Sequence, residues 1–433
     1  MLKRLRLLVL LAALLPLPLL AQDQPDSTQN TDERVSEWLR DVAGALESAA
    51  DAIEDDSSNH DHDDDDDEHD HDHFLPEPLD DPYLLNAPFE RERGPYRQLP
   101  ALRYNRVEGF VLGIGLEPID WQSDDRTKIH GQLGYAFAAR SWRYTAGLEV
   151  RPFGGDDPAN VKLGLAYRRN TATNDAWKTS WTENSLASFF FKNDFFDYYE
   201  VQGVSAYGAW RAAPGAKLSL TYRSEAYHHL ERETGWALFG GSFRRNPLIE
   251  EGRMHSVTAT LAGRTPQRSW RRGLAYRLSS ELGRGLGGDF SFNRYVASGR
   301  VATPLSARNA LDVKLRGGWT TAGAPTQKRF TLGGVGSVRG YPQNAYAGTR
   351  MIAANAAVAY NDPDWLGGDL LVLGLFDAGY VDAEDVAGPF ESDQLLASAG
   401  VGLCATNTAL RFELMWPLRA GVSGPTLWIR LGD

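Results

Sequence analysis

The segment Trp142-Arg143-Tyr144-Thr145-Ala146-Gly147-Leu148-Glu149-Val150-Arg151 decides the fold. In an extended chain successive side chains point to opposite faces. Trp142, Tyr144, Ala146, Leu148 and Val150 then share one face, and Arg143, Thr145, Gly147, Glu149 and Arg151 share the other. A helix would mix these two sets, so the pattern is that of a strand with one apolar and one polar face.

Working outward, the same split recurs. Val161, Leu163, Leu165 and Tyr167 oppose Lys162, Gly164, Ala166 and Arg168. Leu218, Leu220 and Tyr222 oppose Lys217, Ser219, Thr221 and Arg223, and Leu311, Val313 and Leu315 oppose Asp312, Lys314 and Arg316. Phe110, Leu112, Ile114 and Leu116 alternate with Gly109, Gly113 and Gly115, and Leu410, Phe412, Leu414 and Trp416 oppose Arg411 and Glu413. Alternation alone also fits a half-solvated antiparallel sheet in a soluble sandwich. Two features favour a membrane barrel. The polar face carries both signs of charge, as a wet lumen would, and the segments run to about ten residues, the length of a spanning strand. No stretch of the body reaches the roughly 18 continuous apolar residues of a membrane helix.

The connections add a topology. Tight turns are expected near Arg140-Ser141, Ala212 to Gly215, Thr265 to Arg271, Ser306 to Asn309, Asn361 to Gly368 and Thr406 to Thr408. Longer loops fall at 117–127, 231–252, 324–350, 382–393 and 419–425. Short turns on the periplasmic side and long loops outside are the habit of outer-membrane barrels. Ten strand-like segments precede residue 324 and five follow residue 350. Closure with a periplasmic N-terminus requires one more before the loop. The aromatic stretch 176–191 is the expected place for it, which gives a sixteen-stranded, all-β, transmembrane antiparallel barrel over residues 105–433.

The N-terminal part differs in composition. Lys3, Arg4 and Arg6 precede an apolar run, Leu7 to Leu20, and Ala21 ends it, so residues 1–21 read as a secretory signal. Residues 22–90 carry 24 Asp/Glu against only Arg34 and Arg40, a net of −22. The whole chain is −12, so the barrel part is basic. Within this acidic leader, 22–104, residues 32–54 have helical spacing, and a proline-rich link follows. Between them lie His60, His62, His69, His71 and His73 among a run of aspartates. Imidazole and carboxylate at this density bind Zn²⁺, Ni²⁺ or Cu²⁺ loosely; the other reading is a self-repelling acidic linker. No cofactor is required. Cys404 is the only cysteine, so no internal disulfide forms.

One stretch stands apart from the alternation: Arg329-Phe330-Thr331-Leu332-Gly333-Gly334-Val335-Gly336-Ser337-Val338-Arg339-Gly340-Tyr341-Pro342. Its glycines free the backbone for turns and close approach. Val338-Arg339-Gly340-Tyr341 resembles the signature of the outer-membrane superfamily that holds the barrel assembly factor, its translocation relatives and the two-partner secretion transporters, also called the bacterial surface antigen superfamily. Leu375-Phe376-Asp377-Ala378-Gly379 is similar to that family's inner-wall motif, with Leu375 in the Phe place. The resemblance implies that the sixth external loop folds back into the lumen and that Asp377 there receives Arg339. A cation carried into a confined lumen needs such a fixed counter-charge, and a bidentate Arg–carboxylate pair is the strongest available.

Residues 22–104 show none of the mixed helix and strand patterning of the POTRA domains that receive client chains, so a member without them is expected. The family resemblance implies outer-membrane protein biogenesis or translocation, with outer-membrane lipid and a client polypeptide or periplasmic protein as partners and the leader in the periplasm. The alternative is a passive channel or surface protein with a lumen-plugging loop and a metal-binding periplasmic tail. An enzyme is not expected: His130, His228, His229 and His255 are the only histidines of the body, and no Gly-x-Ser-x-Gly accompanies them. Nothing resembles a nucleic-acid motif. Asp194, Asp197, Tyr198 and Tyr199 admit two readings, a ligand site or an interfacial aromatic girdle, of which the girdle is expected.

Overall fold

In the computed structural model the alternating segments become strands whose polar faces turn inward and whose apolar faces turn out. The structure describes residues 102–431, without 121–125, 154–159, 265–272, 362–369, 383–394, 406–409 and 420–423 and the single positions 214, 307 and 322. The signal, the acidic leader and its histidine tract lie outside the described residues.

Sixteen strands form one antiparallel sheet. They are β1 (Leu102–Asn105), β2 (Gly109–Asp120), β3 (Thr127–Ala136), β4 (Ser141–Val150), β5 (Lys162–Ala172), β6 (Tyr199–Ala213), β7 (Ala216–His229), β8 (Gly252–Arg264), β9 (Gly273–Leu282), β10 (Asn293–Pro304), β11 (Asn309–Thr320), and then β14 (Arg350–Tyr360), β15 (Leu370–Asp382), β16 (Leu396–Ala405), β17 (Leu410–Pro417) and β18 (Thr426–Leu431). The missing pair, β12 (Phe330–Leu332) and β13 (Tyr346–Gly348), is a small hairpin inside the long connection from β11 to β14. Every strand of the sheet pairs with its neighbour in sequence, β11 with β14.

Residues directly opposite across a ladder share a face, so the two faces can be followed from β1 to β18. One face carries Leu112, Ile114, Trp142, Leu163 and Leu165, all more than half exposed. The other carries Asp377, Ser398 and Glu413, all fully buried. This is the reverse of a water-soluble sheet, where an apolar face of such extent would be covered.

The sheet curls around the β11–β14 connection. Phe330 lies 4.6 Å from the guanidinium of Arg294 on β10, and Trp428 on β18 donates from Nε1 to the carbonyl of Arg339 at 2.9 Å. Val335 is buried with Val107, in the turn between β1 and β2. One loop therefore touches strands near both ends of the sheet.

The stretch 176–191 is not a strand. Trp181–Phe191 is an α-helix, α1, in the connection from β5 to β6. Its start is capped: the Glu183 N–H donates to Ser180 Oγ at 3.0 Å, and Lys192 closes the other end in the left-handed conformation. The Ser180-Trp181-Thr182-Glu183 spacing is that of a capping box, the local signal that competes with a strand.

The strand that completes sixteen is instead β1, four residues long and joined to β2 by the turn 106–108. It is too short for alternation to show. Its presence reverses the expected sides of the first connections. β2 and β4 end, and β3 and β5 begin, at the end of the sheet where β10 passes to β11, and the tight turn 137–140 lies at the end that holds the long loop.

Candidate functional site

The site is built by four strands and one loop. At Gly340 the loop comes so close to the wall that an added Cβ would stand 2.8 Å from Ser398 Cβ and 2.9 Å from the Pro417 nitrogen. Gly336, with φ +75°, packs more tightly still: an added Cβ would run into the carbonyl oxygen of Lys178. Val338, beside the arginine, is fully buried among Leu332, Met351, Ala353 and Leu396. These apolar contacts fix the loop's depth, and Arg339 is thereby placed against the inner face of β15.

There Arg339 makes a two-pronged pair with Asp377. Its Nε donates to Oδ2 at 2.8 Å and its second guanidinium nitrogen to Oδ1 at 2.6 Å. The Arg339 backbone N–H adds a third bond to Oδ2 at 3.0 Å. Asn355 on β14 donates to Asp377 Oδ1 at 2.7 Å, and its amide also reaches the Ser337 carbonyl. Next to the motif, the Gly340 N–H donates to Ser398 Oγ on β16 at 3.3 Å, and the Tyr341 hydroxyl donates to the Ala397 carbonyl at 3.1 Å. Val338, Arg339, Gly340 and Tyr341 of the loop motif and Asp377 of the wall motif thus stand together.

The structure also adds a carboxylate that sequence reading missed. Glu413 on β17 accepts from the remaining guanidinium nitrogen of Arg339 at 2.9 Å, and Arg411 pairs with the same carboxylate. Two arginines thus face two carboxylates, and the buried cluster is neutral. Burial works against the charge on Arg339, but Asp377 and Glu413 outweigh it and hold the guanidinium ionised beyond its ordinary range. Glu413 was visible as a polar residue on the last long alternating strand; only the register across β15 to β17 shows that it reaches the loop.

A second set of contacts ties the loop to the β5–β6 connection. Asn344 donates to Asp175 Oδ2 at 2.9 Å and to Asp197 Oδ2 at 2.8 Å. Lys178 donates to Thr331 Oγ1 at 2.8 Å and pairs with Asp175 at 2.9 Å. Asp194 and Asp197 in turn hold Arg106, at 3.0 and 3.3 Å, and Arg244 bonds Asp197. The expected girdle is therefore corrected: Asp194, Tyr198 and Tyr199 are buried. Desolvation of those carboxylates is repaid by Arg106 and Arg244, which the sequence holds about ninety and fifty positions away.

This is an inside-out antiparallel sheet that grips a long loop by an arginine lock. Residues 265–418 match the Omp85 superfamily domain, and Val338-Arg339-Gly340-Tyr341, within that match, resembles the superfamily's signature. Residues 87–255 match the C-terminal domain of a family of unknown function, DUF5686. No curated protein matches the sequence. Among solved structures, BamA from Haemophilus ducreyi lacking POTRA domains 1–3 is 15% identical, with a TM-score of 0.54 over 77% of this chain and 69% of that one. CdiB from Acinetobacter baumannii is 14% identical, TM-score 0.42, over 77% of this chain and 58% of its own. CdiB from Escherichia coli is 12% identical, TM-score 0.40, over 76% and 60%. The BamA likeness supports the fold.

Proposed function

We propose that the sheet closes as a sixteen-stranded transmembrane barrel in a bacterial outer membrane and works in outer-membrane protein biogenesis or translocation. The long loop enters the lumen from the external end, and the N-terminal leader lies in the periplasm. The single observation that supports this best is the Arg339–Asp377 pair, held inside an Omp85 superfamily domain by the motif that resembles the family signature. The exposed apolar face and buried charged face support the membrane setting. Depletion of the protein followed by a census of the outer membrane tests the role. Loss of many barrels would support assembly, loss of one exported protein would support secretion, and an unchanged census would overturn both.

A second reading is favoured by the loop's reach from β10 to β18: a passive channel that the loop plugs. Planar-bilayer conductance separates the two. A plug predicts large steady conductance on Arg339→Ala, with the membrane census intact. No catalytic role is assigned. The His60, His62, His69, His71 and His73 tract is proposed to bind Zn²⁺, Ni²⁺ or Cu²⁺ loosely; zinc titration of the full chain against a variant with all five changed to Ala checks it, and equal binding would count against it.

A further inference from the structure

β1 and β18 are the two edges of the sheet, and no ladder joins them among the described residues. Both are short, four and six residues. When the barrel closes, as proposed above, these edges meet at a seam with no strand ladder across it among the described residues. An unpaired edge is a liability that proteins cover.

What lies at that seam is α1. Its first turn is on the inner face of β18: Glu183 takes both Nε and a terminal nitrogen of Arg430, at 2.6 and 3.0 Å. Arg430 faces inward, since it stands opposite Arg411 in the ladder, and Arg411 shares a face with Glu413. The last turn of α1 is on the other face of β1. Phe189 packs edge-on to Tyr104 at 5.7 Å and to Phe110 at 5.5 Å. Tyr104 stands opposite Phe110 in the β1–β2 ladder, on the exposed apolar face with Leu102 and Leu112. Yet Tyr104 is buried, because Phe189 and Trp236 cover it. Its hydroxyl donates to the Trp236 carbonyl at 2.5 Å, and the N–H groups of Leu238 and Phe239 bond the carbonyls of Phe189 and Phe190, both at 2.9 Å.

We infer that α1 is a staple across the seam, reaching from the lumenal face of β18 to the lipid-facing side of β1. The ion pair Glu183–Arg430 is its inner prong. The aromatic group Phe189, Trp236 and Tyr104 is its outer prong. Side-chain contacts thereby do at the seam what ladder hydrogen bonds do between the other strands, and opening the seam requires one prong to release.

Distance measurement between spin labels tests this in the full chain, with Cys404→Ser removing the native thiol. Labels at Leu102→Cys and Leu427→Cys report β1 and β18 from the apolar side; labels at Leu315→Cys and Ile352→Cys report the paired neighbours β11 and β14. The expected result is a short, narrow β1–β18 distribution that at least doubles in width with Glu183→Gln or Phe189→Ser, while the β11–β14 distribution is unchanged. A β1–β18 distribution unmoved by both substitutions overturns the staple. Should either substitution prevent folding, the exchange Glu183→Arg with Arg430→Glu keeps the test open: the reversed pair must retain the narrow β1–β18 distribution, and a folded exchange variant with the distribution doubled in width contradicts the inference. The barrel reading fails separately. A sheet of this size left flat would hold its edges about 70 Å apart, at about 4.8 Å per strand, and such a distance in the unsubstituted protein would overturn closure rather than the staple.

Discussion

The loop between β11 and β14 is moored at two places, and they differ in kind. At the wall, Arg339 meets Asp377 and Glu413, which sit on strands two apart in a rigid ladder. At the β5–β6 connection, Asn344 and Thr331 of the loop meet Asp175, Lys178 and Asp197, which all sit on that connection rather than on a strand. The wall mooring is buried, whereas Asn344, Thr331 and Asp197 of the connection mooring are half-buried. The wall mooring takes its geometry from strand register, so a single arginine finds its partner at fixed spacing. The connection mooring takes its geometry from the mutual packing of loops, so it depends on many contacts at once. The difference predicts a brittle wall mooring and a graded connection mooring.

The largest effect that would break this contrast is at Arg339. Arg339→Ala leaves Asp377 and Glu413 in the interior with their shared cation gone, and removing one partner of a buried pair costs about 3–5 kcal/mol. Resistance to heat and detergent, read as the folded fraction on a gel, should fall sharply. A change too small to see would mean that the wall mooring is not where the loop is held.

The next effect concerns pH at a buried cluster outside both moorings. Glu108, in the turn after β1, accepts from Arg103, Asn105, Arg143 and Thr171. Burial pushes its carboxyl up, but Arg103 and Arg143 outweigh that and hold it at about 2, against an ordinary value of 4.5. A depressed carboxyl gives stability that is fully present above pH 4.5 and is lost as pH falls toward 2, here about 3 kcal/mol. Denaturant titrations of wild type and Glu108→Gln should therefore converge as pH is lowered through that window. Parallel curves would show that Glu108 is not held ionised by the turn.

A smaller effect is expected at Gly340. Gly340→Ala puts a methyl against Ser398 and Pro417, and overpacking of this kind costs about 1–3 kcal/mol. The loss should appear in the same heat assay and should shrink when Ser398→Gly makes room. The smallest effect is at Asn344, which has φ +52°. Asn344→Gly keeps that conformation and removes the side chain's bonds to Asp175, Asp197, Lys178 and Gln343, while Lys178 and Asp175 still pair with each other, so the loss is about 1–2 kcal/mol. An effect at Asn344 as large as that at Arg339 would erase the contrast between the moorings.

The same contrast explains what could be read from sequence. Glu413 alternates with Phe412 and Leu414, so its inward face follows from period two, whereas Leu371, Leu373 and Leu375 share the buried face of Asp377 and mask it. The pairing of Arg339 with Asp377 followed from a family resemblance at two short motifs. Glu413 required the register of β15 to β17, which no local pattern states. The interior placement of Asp194 and Tyr198 required the path of a connection 26 residues long, from 173 to 198, and aromatic residues there look the same whether they face lipid or a buried arginine. The helix α1 was legible in its capping box, but the parity of the strand count pulled the reading toward a strand. The count came to sixteen because β1 took the vacant place.

The measurement that bears most directly on the lock is a double-mutant cycle on Arg339 and Asp377, with unfolding free energies for Arg339→Ala, Asp377→Ala and both together. A direct pair predicts that the double variant is no less stable than the worse single one, with coupling above about 1 kcal/mol. Losses that add within about 0.5 kcal/mol would contradict it.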